Sequence, residues 1–158
     1  MVKMGIIGAG RIAGLMGRTL QGMDTVERYA IAARDYERAK AFADEYGFEK
    51  AYGSYEEMVK DPEVDLVYIA TPHSHHYDHV KLCLEHGKHV LCEKAFTVNE
   101  GQAMELFAMA KERRLLLTEA IWTRYMPMRK TLEEVLASGI IGNPYMLTAN
   151  LSYIIDHK

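Results

Sequence analysis

The stretch Lys3-Met4-Gly5-Ile6-Ile7-Gly8-Ala9-Gly10-Arg11-Ile12-Ala13 decides how the rest of the chain is read. It opens with a short apolar run that reads as a buried strand. A glycine-rich turn follows at once. An amphipathic helix comes next, with Ile12, Leu15, Met16 and Leu20 at helical spacing. The pattern is G-x-G-x-x-A between a strand and a helix, the context in which it carries a mechanism. Gly8 permits the tight turn, Gly10 lets a pyrophosphate approach the backbone, and Ala13 lets the helix lie close to the strand. The helix N-terminus then presents free N–H groups and a positive dipole end to the phosphates. The alternative is a glycine turn in an unrelated α/β protein.

Outward from that stretch, strands and helices alternate. Tyr29–Ala33 reads as a strand and Tyr36–Tyr46 as a helix with Ala39, Phe42 and Ala43 inward, stopped by Gly47. A short strand at Lys50–Tyr52 precedes a helix capped by Ser54-Tyr55-Glu56-Glu57. Leu66–Ala70 is a continuous apolar run, as expected of a parallel strand covered on both faces. A helix from about Ser74 to His86 ends at Gly87, and His89–Cys92 is the next strand. Thr97–Glu100 has capping-box spacing before a helix with Ala103, Leu106, Phe107 and Ala110 inward, and Leu115–Thr118 is a sixth strand. The alternation predicts a Rossmann-type doubly wound parallel sheet with right-handed crossovers. From Glu119 the rhythm changes. Residues 120–124 read as a linker, Pro127–Ala137 as a helix and Tyr145–Ile155 as a strand. The expected organisation is a nucleotide-binding domain over 1–119, with 120–158 opening an incomplete α+β second domain. The unpaired last strand is an open edge, which predicts self-association into a homo-oligomer.

The chain has 158 residues, a net charge of −3 and two cysteines, Cys83 and Cys92. That length supports a core burying about 68–70% of the unfolded surface without staples. No basic block points to nucleic acid. No stretch approaches the roughly 20 apolar residues of a membrane span. The two cysteines read as reduced core thiols, and the expected location is cytoplasmic.

Ligands of open α/β sheets sit beyond the carboxyl ends of the strands. Besides the glycine turn, with Arg11 and Ile12, three groups fall there. Arg34-Asp35 follows the second strand. An acid at that place suits a ribose 2′-hydroxyl and an Arg a 2′-phosphate, so the pair favours NADP over NAD. The alternative is a surface Arg paired with Asp35 or Glu37. Thr71-Pro72-His73-Ser74-His75-His76 reads as a loop lining the nicotinamide end. His75 and His79 are one helical turn apart, but no Glu follows His75 and no third ligand is evident, so no metal site is expected. Glu93-Lys94 ends the fifth strand. A Lys there could hold a reacting oxygen, with burial tuning its acidity; the alternative is a surface Lys–Glu pair. Trp122, the single Trp, suits either a core or a pocket wall.

At these residues the sequence resembles the glucose-fructose oxidoreductase / inositol dehydrogenase / MocA family. The resemblance is carried by Gly5–Ala13, Ala32–Asp35, Thr71–His76 and Gly87–Lys94. Within the family, residues 33–43, the Ala51–Glu57 run and Glu119–Pro127 look most like the dihydrodiol dehydrogenase and NADP-linked D-xylose dehydrogenase branch. That resemblance implies hydride transfer between NADP and a sugar or cyclic diol. It implies that Lys94 is the catalytic-site lysine, that Pro72 and His76 border the nicotinamide, and that Trp122, with Arg124 beside it, lines the substrate pocket. The family usually reads Glu-Lys-Pro, whereas Ala95 follows Lys94 here. A cis bond before a non-proline costs about 2.5–4 kcal/mol, so a trans bond is expected. Family members are much longer, and their second domain supplies an acid/base residue. The competing expectation is a non-catalytic nucleotide-binding module of the same fold.

Overall fold

The computed structural model describes residues 1–150 and 152. Six strands form one parallel sheet: β1 (Val2–Ile7), β2 (Val26–Ala32), β3 (Lys50–Tyr52), β4 (Leu66–Ile69), β5 (His89–Cys92) and β6 (Leu117–Glu119). Their order is β3-β2-β1-β4-β5-β6. Helices α1 (Arg11–Leu20), α2 (Tyr36–Tyr46), α3 (Tyr55–Lys60), α4 (His76–Glu85) and α5 (Glu100–Arg113) make the crossovers. The order reverses between β1 and β4, so the loops after these two strands flank one crevice. This is the predicted Rossmann-type fold.

The sheet separates two cores. One gathers Ile7, Ala30, Val67, Ile69, Val80, Leu84, Val90 and Leu106; the other gathers Met4, Ile6, Ala13, Leu20, Ile31, Phe42, Tyr46 and Tyr68. Successive β4 residues serve opposite sides, which is why the run is apolar without alternation. On the second side, Tyr46 of α2 lies against Gly14 and Gly17 of α1. A Cβ on Gly17 would lie 2.9 Å from the Tyr46 ring, so the small residues set that close approach. Cys83 and Cys92 are buried and free, and burial pushes the Cys92 thiol up to about 12.

Several expectations are corrected. Strand β2 starts three residues early, because Val26, Glu27 and Arg28 pair with Val2, Lys3 and Met4. The helix expected from Ser74 begins as a 3₁₀ turn at His73–His75, with α4 starting at His76. The cap of α5 is Asn99, not Thr97. Asn99 Oδ1 accepts from Gln102 N–H, and Gln102 Oε1 accepts in return from Val98 N–H, so the reciprocal pair lies two residues downstream. Leu15 and Phe107 sit off the inner stripes of their helices and are about half exposed, although the Phe107 ring stays 5.2 Å from Phe96. Strand β6 covers Leu117–Glu119 rather than 115–118.

The chain divides into two compact units, Met1–Ile121 and Trp122–Lys158. In the second unit a 3₁₀ turn at Trp122–Tyr125 stands where a linker was expected. It leads to α6 (Pro127–Ala137), which starts on Pro127 as read. No strand forms over residues 145–150; the rest of the strand expected up to Ile155, except Ser152, lies outside the described residues. The open edge on which self-association was expected is therefore not seen at 145–150. Among the described residues no helix is long and apolar enough to cross a membrane.

Candidate coenzyme cleft

A cleft of about 440 Å³ opens at the carboxyl ends of β1, β2 and β4. The turn after β1 forms its floor. Gly8 has φ +98, a conformation that glycine adopts without strain, and its N–H donates to Ala32 O at 2.9 Å. A Cβ at Gly8 would lie 3.0 Å from Thr71 Cγ2 and 3.1 Å from Ala70 O, so the turn touches the β4 loop directly. At Gly10 a Cβ would meet nothing within 4 Å. The space in front of Gly10 is the cleft itself. Gly10 is also the N-cap of α1, without a side-chain cap and with no acid in the first turn. The leading N–H groups of α1 are left for an anion. Ala13 is fully buried behind them, against the sheet.

Strand β2 delivers Ala33, Arg34 and Asp35 to the rim. Asp35 caps α2: its Oδ1 accepts from Glu37 N–H at 3.0 Å. The Arg34 guanidinium makes no hydrogen bond or ion pair among the described residues, so the surface-pair alternative is not formed. Arg38, one turn along α2, donates from Nε to Ala9 O at 3.0 Å and so ties α2 to the glycine turn. Arg38 and Tyr55 line the cleft and were not found by sequence reasoning. Arg38 follows Arg34 by four residues, across the Asp35 cap, and carries no signal of its own in the sequence. Tyr55 carries no local signal. Burial raises its hydroxyl pKa, while Arg34 and Arg38 oppose the shift.

From the β4 side come Ala70, Thr71 and Pro72. Thr71 Oγ1 is hydrogen-bonded to His79 Nδ1 at 2.9 Å. His73 is exposed, with its ring 5.5 Å from that of His76. His76 itself is fully buried. Its Nδ1 lies 2.8 Å from Ala95 O and its Nε2 2.9 Å from Thr71 O. The ring thus bridges the loop after β4 and the turn after β5.

That second turn carries Glu93 and Lys94. Glu93 Oε1 accepts from the Tyr68 hydroxyl on neighbouring β4, and Oε2 accepts from Lys94 N–H at 3.1 Å. Burial and then Glu93 push the Tyr68 hydroxyl strongly up. The Lys94 side chain is exposed rather than buried and does not pair with Glu93. The Lys94–Ala95 peptide is cis, against the trans expectation. The segment is held on both sides, by His76 at Ala95 O and by Glu119 Oε1, which accepts from Phe96 N–H at 2.9 Å.

The first unit thus brings Gly8, Gly10, Arg11, Ile12, Arg34, Asp35, Thr71 and Pro72 to one cleft. Ala13 and His76 lie buried beneath its walls, and Glu93 and Lys94 stand at the neighbouring strand end. Trp122 and Arg124 belong to the second unit. There Trp122 is exposed and Arg124 O accepts from Arg129 Nη1 at 3.2 Å.

The family model described as the oxidoreductase family with NAD-binding Rossmann fold, Gfo/Idh/MocA, matches residues 2–121. The chain belongs to this family. Among Gfo/Idh/MocA relatives, mouse trans-1,2-dihydrobenzene-1,2-diol dehydrogenase is 42% identical over 158 residues, 99% of this chain and 47% of its own length. The human enzyme of that name is 46% identical over the same shares. The D-xylose 1-dehydrogenase (NADP(+)) of Hypocrea jecorina is 43% identical, over 96% of this chain and 42% of its own. A solved NAD-binding oxidoreductase of Klebsiella pneumoniae superposes with a TM-score of 0.83 at 32% identity, over 89% of this chain and 40% of that one. A 3-ketoreductase of Actinomadura kijaniata, solved with NADP, gives 0.82 at 35% identity, over 89% and 45%. The chain spans less than half the length of these relatives. It carries the NAD(P)-binding Rossmann domain of a Gfo/Idh/MocA oxidoreductase.

Proposed function

We propose that the chain is the coenzyme-binding half of an NADP-preferring dehydrogenase that moves a hydride between the nicotinamide and a CH–OH carbon of a sugar, polyol or cyclic diol. Residues 1–119 form the coenzyme domain and 120–158 begin a substrate domain. The observation that carries the coenzyme choice is the Arg34 guanidinium on the cleft rim, which has no partner among the described residues. A guanidinium matches phosphate geometry in two hydrogen bonds, and Asp35 is committed to capping α2.

In this reading the N–H groups at the start of α1 hold the pyrophosphate and Arg34 holds the 2′-phosphate, while Arg38 steadies the glycine turn through Ala9 O. Thr71 and Pro72 border the ribose and nicotinamide side. The Lys94 ammonium, at the end of β5, donates to the reacting oxygen as a carbonyl is reduced, or stabilises the alkoxide as an alcohol is oxidised. The coenzyme supplies the hydride chemistry. His76 holds the Lys94 turn against the β4 loop through Ala95 O and Thr71 O. Trp122 and Arg124 are assigned to substrate contact, as the resemblance implies. The 158 residues bind coenzyme but turn over poorly, because water exclusion and a proton-transfer group come from the part that the longer relatives possess. Names of relatives that act on diols and on D-xylose support the substrate class.

Paired fluorescence titrations with NADPH and NADH test the reading. NADPH is expected to bind more tightly, and Arg34→Ala to erase most of the difference, about 10-fold or more for a charged hydrogen-bond pair. Equal affinity for the two coenzymes would overturn the NADP assignment, and absence of binding would overturn the cleft. Ready turnover of D-xylose by this chain would overturn its catalytic incompleteness.

A further inference from the structure

The turn after β5 is held by side chains. Among the described residues no main-chain hydrogen bond reaches Lys94, Ala95 or Phe96. Instead, each of the three has one polar main-chain group on a side chain from a different part of the sheet. Lys94 N–H donates to Glu93 Oε2 at 3.1 Å. Ala95 O lies 2.8 Å from Nδ1 of His76, the first residue of α4. Phe96 N–H donates at 2.9 Å to Oε1 of Glu119, the last residue of β6. Lys94 and Ala95 are exposed, whereas the Phe96 ring is buried and anchors the turn beside Phe107.

The three holders differ in what else they touch. His76 Nε2 also meets Thr71 O in the cleft wall, so its loss disturbs two loops. Glu93 adjoins Lys94, and its other oxygen is taken by the Tyr68 hydroxyl. Glu119 lies outside the cleft lining, and Phe96 N–H is the one hydrogen-bond partner of its carboxylate among the described residues. Its own backbone is fixed independently. Glu119 is in register with Cys92, and Ala120 N–H donates to Cys92 O at 2.7 Å. The carboxylate is thus mounted on the sheet and bonded to the turn alone. A bond to an ionised acceptor is also stronger than a neutral one.

We propose that Glu119 is a positioning residue: through Phe96 N–H it fixes the Lys94 turn, and with it the reach of the Lys94 ammonium toward the nicotinamide and the reacting oxygen. The inference rests on the role given to Lys94 above. A lysine head rides on a flexible four-carbon stem, and this one has no side-chain bond among the described residues to steady it. Its aim is therefore only as good as the backbone that carries it. Reacting groups must meet at about 3–3.5 Å, and a misplacement of about 1 Å can cost roughly 100-fold in rate. Glu119 supplies that precision through the backbone.

The test is NMR spectroscopy of this chain, isotope-labelled at the backbone amides and at lysine Cε, with the Lys94 signal assigned through Lys94→Arg. Wild type, Glu119→Ala, Glu119→Gln and Glu119→Asp are compared with and without NADP+. In wild type the Ala95 and Phe96 amides are expected near the rigid-backbone order parameter of about 0.85, and the bound nicotinamide ring shifts the Lys94 Cε–H signal. In Glu119→Ala the two amides fall below about 0.6 and most of the Lys94 shift is lost. NADP+ affinity of that variant stays within about twofold, because Glu119 does not line the cleft. Glu119→Gln keeps an acceptor oxygen at the same reach and restores both signals. Glu119→Asp keeps the charge, falls short by one methylene and restores neither. A carboxylate needed only for its charge would make Glu119→Asp equal to or better than Glu119→Gln, and that order would overturn the inference. An undiminished Lys94 shift in folded Glu119→Ala would overturn it too, leaving the role of Lys94 intact. Absence of a Lys94 shift in wild type saturated with NADP+ would overturn the role of Lys94 and this inference with it. Should Glu119→Ala fail to fold, the comparison of Glu119→Gln with Glu119→Asp decides alone.

Discussion

Around the amino ends of β4 and β5 the charged groups are engaged by the protein, whereas at the carboxyl ends of β1, β2 and β5 several stand free. Asp61 Oδ2 accepts from the Tyr29 hydroxyl at 3.1 Å, the Lys50 ammonium at 2.8 Å and the Tyr52 hydroxyl at 2.6 Å. Its Oδ1 accepts from Glu63 N–H at 2.9 Å. Lys88, buried beside it, donates to Asp61 O at 2.6 Å and Val64 O at 2.9 Å. Across the sheet, the Arg11, Arg34 and Lys94 side chains have no hydrogen bond or ion pair among the described residues. A satisfied buried charge holds a fold together, because removing either partner strands the other. An unpartnered cation beside open helix N–H groups does nothing for the fold and waits for an anion. The same sheet therefore keeps stability at one end and binding at the other.

The largest expected effect tests that separation. Asp61→Ala leaves the Tyr29 and Tyr52 hydroxyls without their acceptor and Lys50 facing water, at a cost of about 1–3 kcal/mol in urea denaturation. NADPH affinity of the folded variant stays within about twofold, since neither Asp61 nor any of its partners lines the cleft. A parallel loss of affinity would break the comparison. The same carboxylate gives the acid limb of stability. Burial pushes its pKa up, but the hydrogen bonds from Lys50, Tyr52, Glu63 N–H and Tyr29 outweigh that and hold it well below the usual carboxylate range. A depressed folded-state value means that the stabilisation is present in full above about pH 4 and is lost as pH falls through the folded value. Wild type is therefore expected to lose more stability than Asp61→Ala on acidification below that point.

Gly8→Ala strikes where the two functions meet. The new Cβ would crowd Thr71 Cγ2 and Ala70 O at a φ of +98. The expected cost is about 1–3 kcal/mol of stability, together with a fall in affinity for both coenzymes. A fall in affinity without loss of stability would mean that the turn serves the ligand alone. Arg34 and Arg38 sharpen the binding end further. Arg34 is free, so Arg34→Ala lowers NADPH affinity and spares NADH. Arg38 already holds Ala9 O, so Arg38→Ala loosens the glycine turn. It is expected to weaken both coenzymes by a few-fold, about one hydrogen bond's worth.

The binding end was the more legible in the sequence, for a physical reason. Glycines at a strand–helix turn and charges at strand ends are local patterns, so Gly8, Gly10, Arg34 and Lys94 could be read along the chain. Arg38, Tyr55 and His79 could not. They meet only because the order β3-β2-β1-β4 sets the loops of β2 and β4 side by side. The Asp61 node is likewise non-local, joining β2, β3 and the end of α3. Helix faces misread by one position, at Leu15 and Phe107, show how little a single apolar residue says about which side of a stripe it takes. Over 145–150 the strand expected from Tyr145 does not form, since β-forming residues alone do not make a strand.

Lys94 carries the smallest expected effect and the sharpest reading of the comparison. It is exposed, bonds to nothing through its side chain among the described residues, and lies outside the cleft lining. Lys94→Met is expected to leave the melting midpoint within about 2 °C, as for a surface substitution, and NADPH affinity within about twofold. Yet the turn that presents it is tied down on both sides, by His76 at Ala95 O and by Glu119 at Phe96 N–H. A side chain that neither folds the protein nor binds coenzyme, on a backbone held this firmly, is what the proposed role at the reacting oxygen requires. Turnover is where the proposed function expects its loss to register. A large drop in NADPH affinity on Lys94→Met would instead place it in the coenzyme site and blur the line between binding and chemistry.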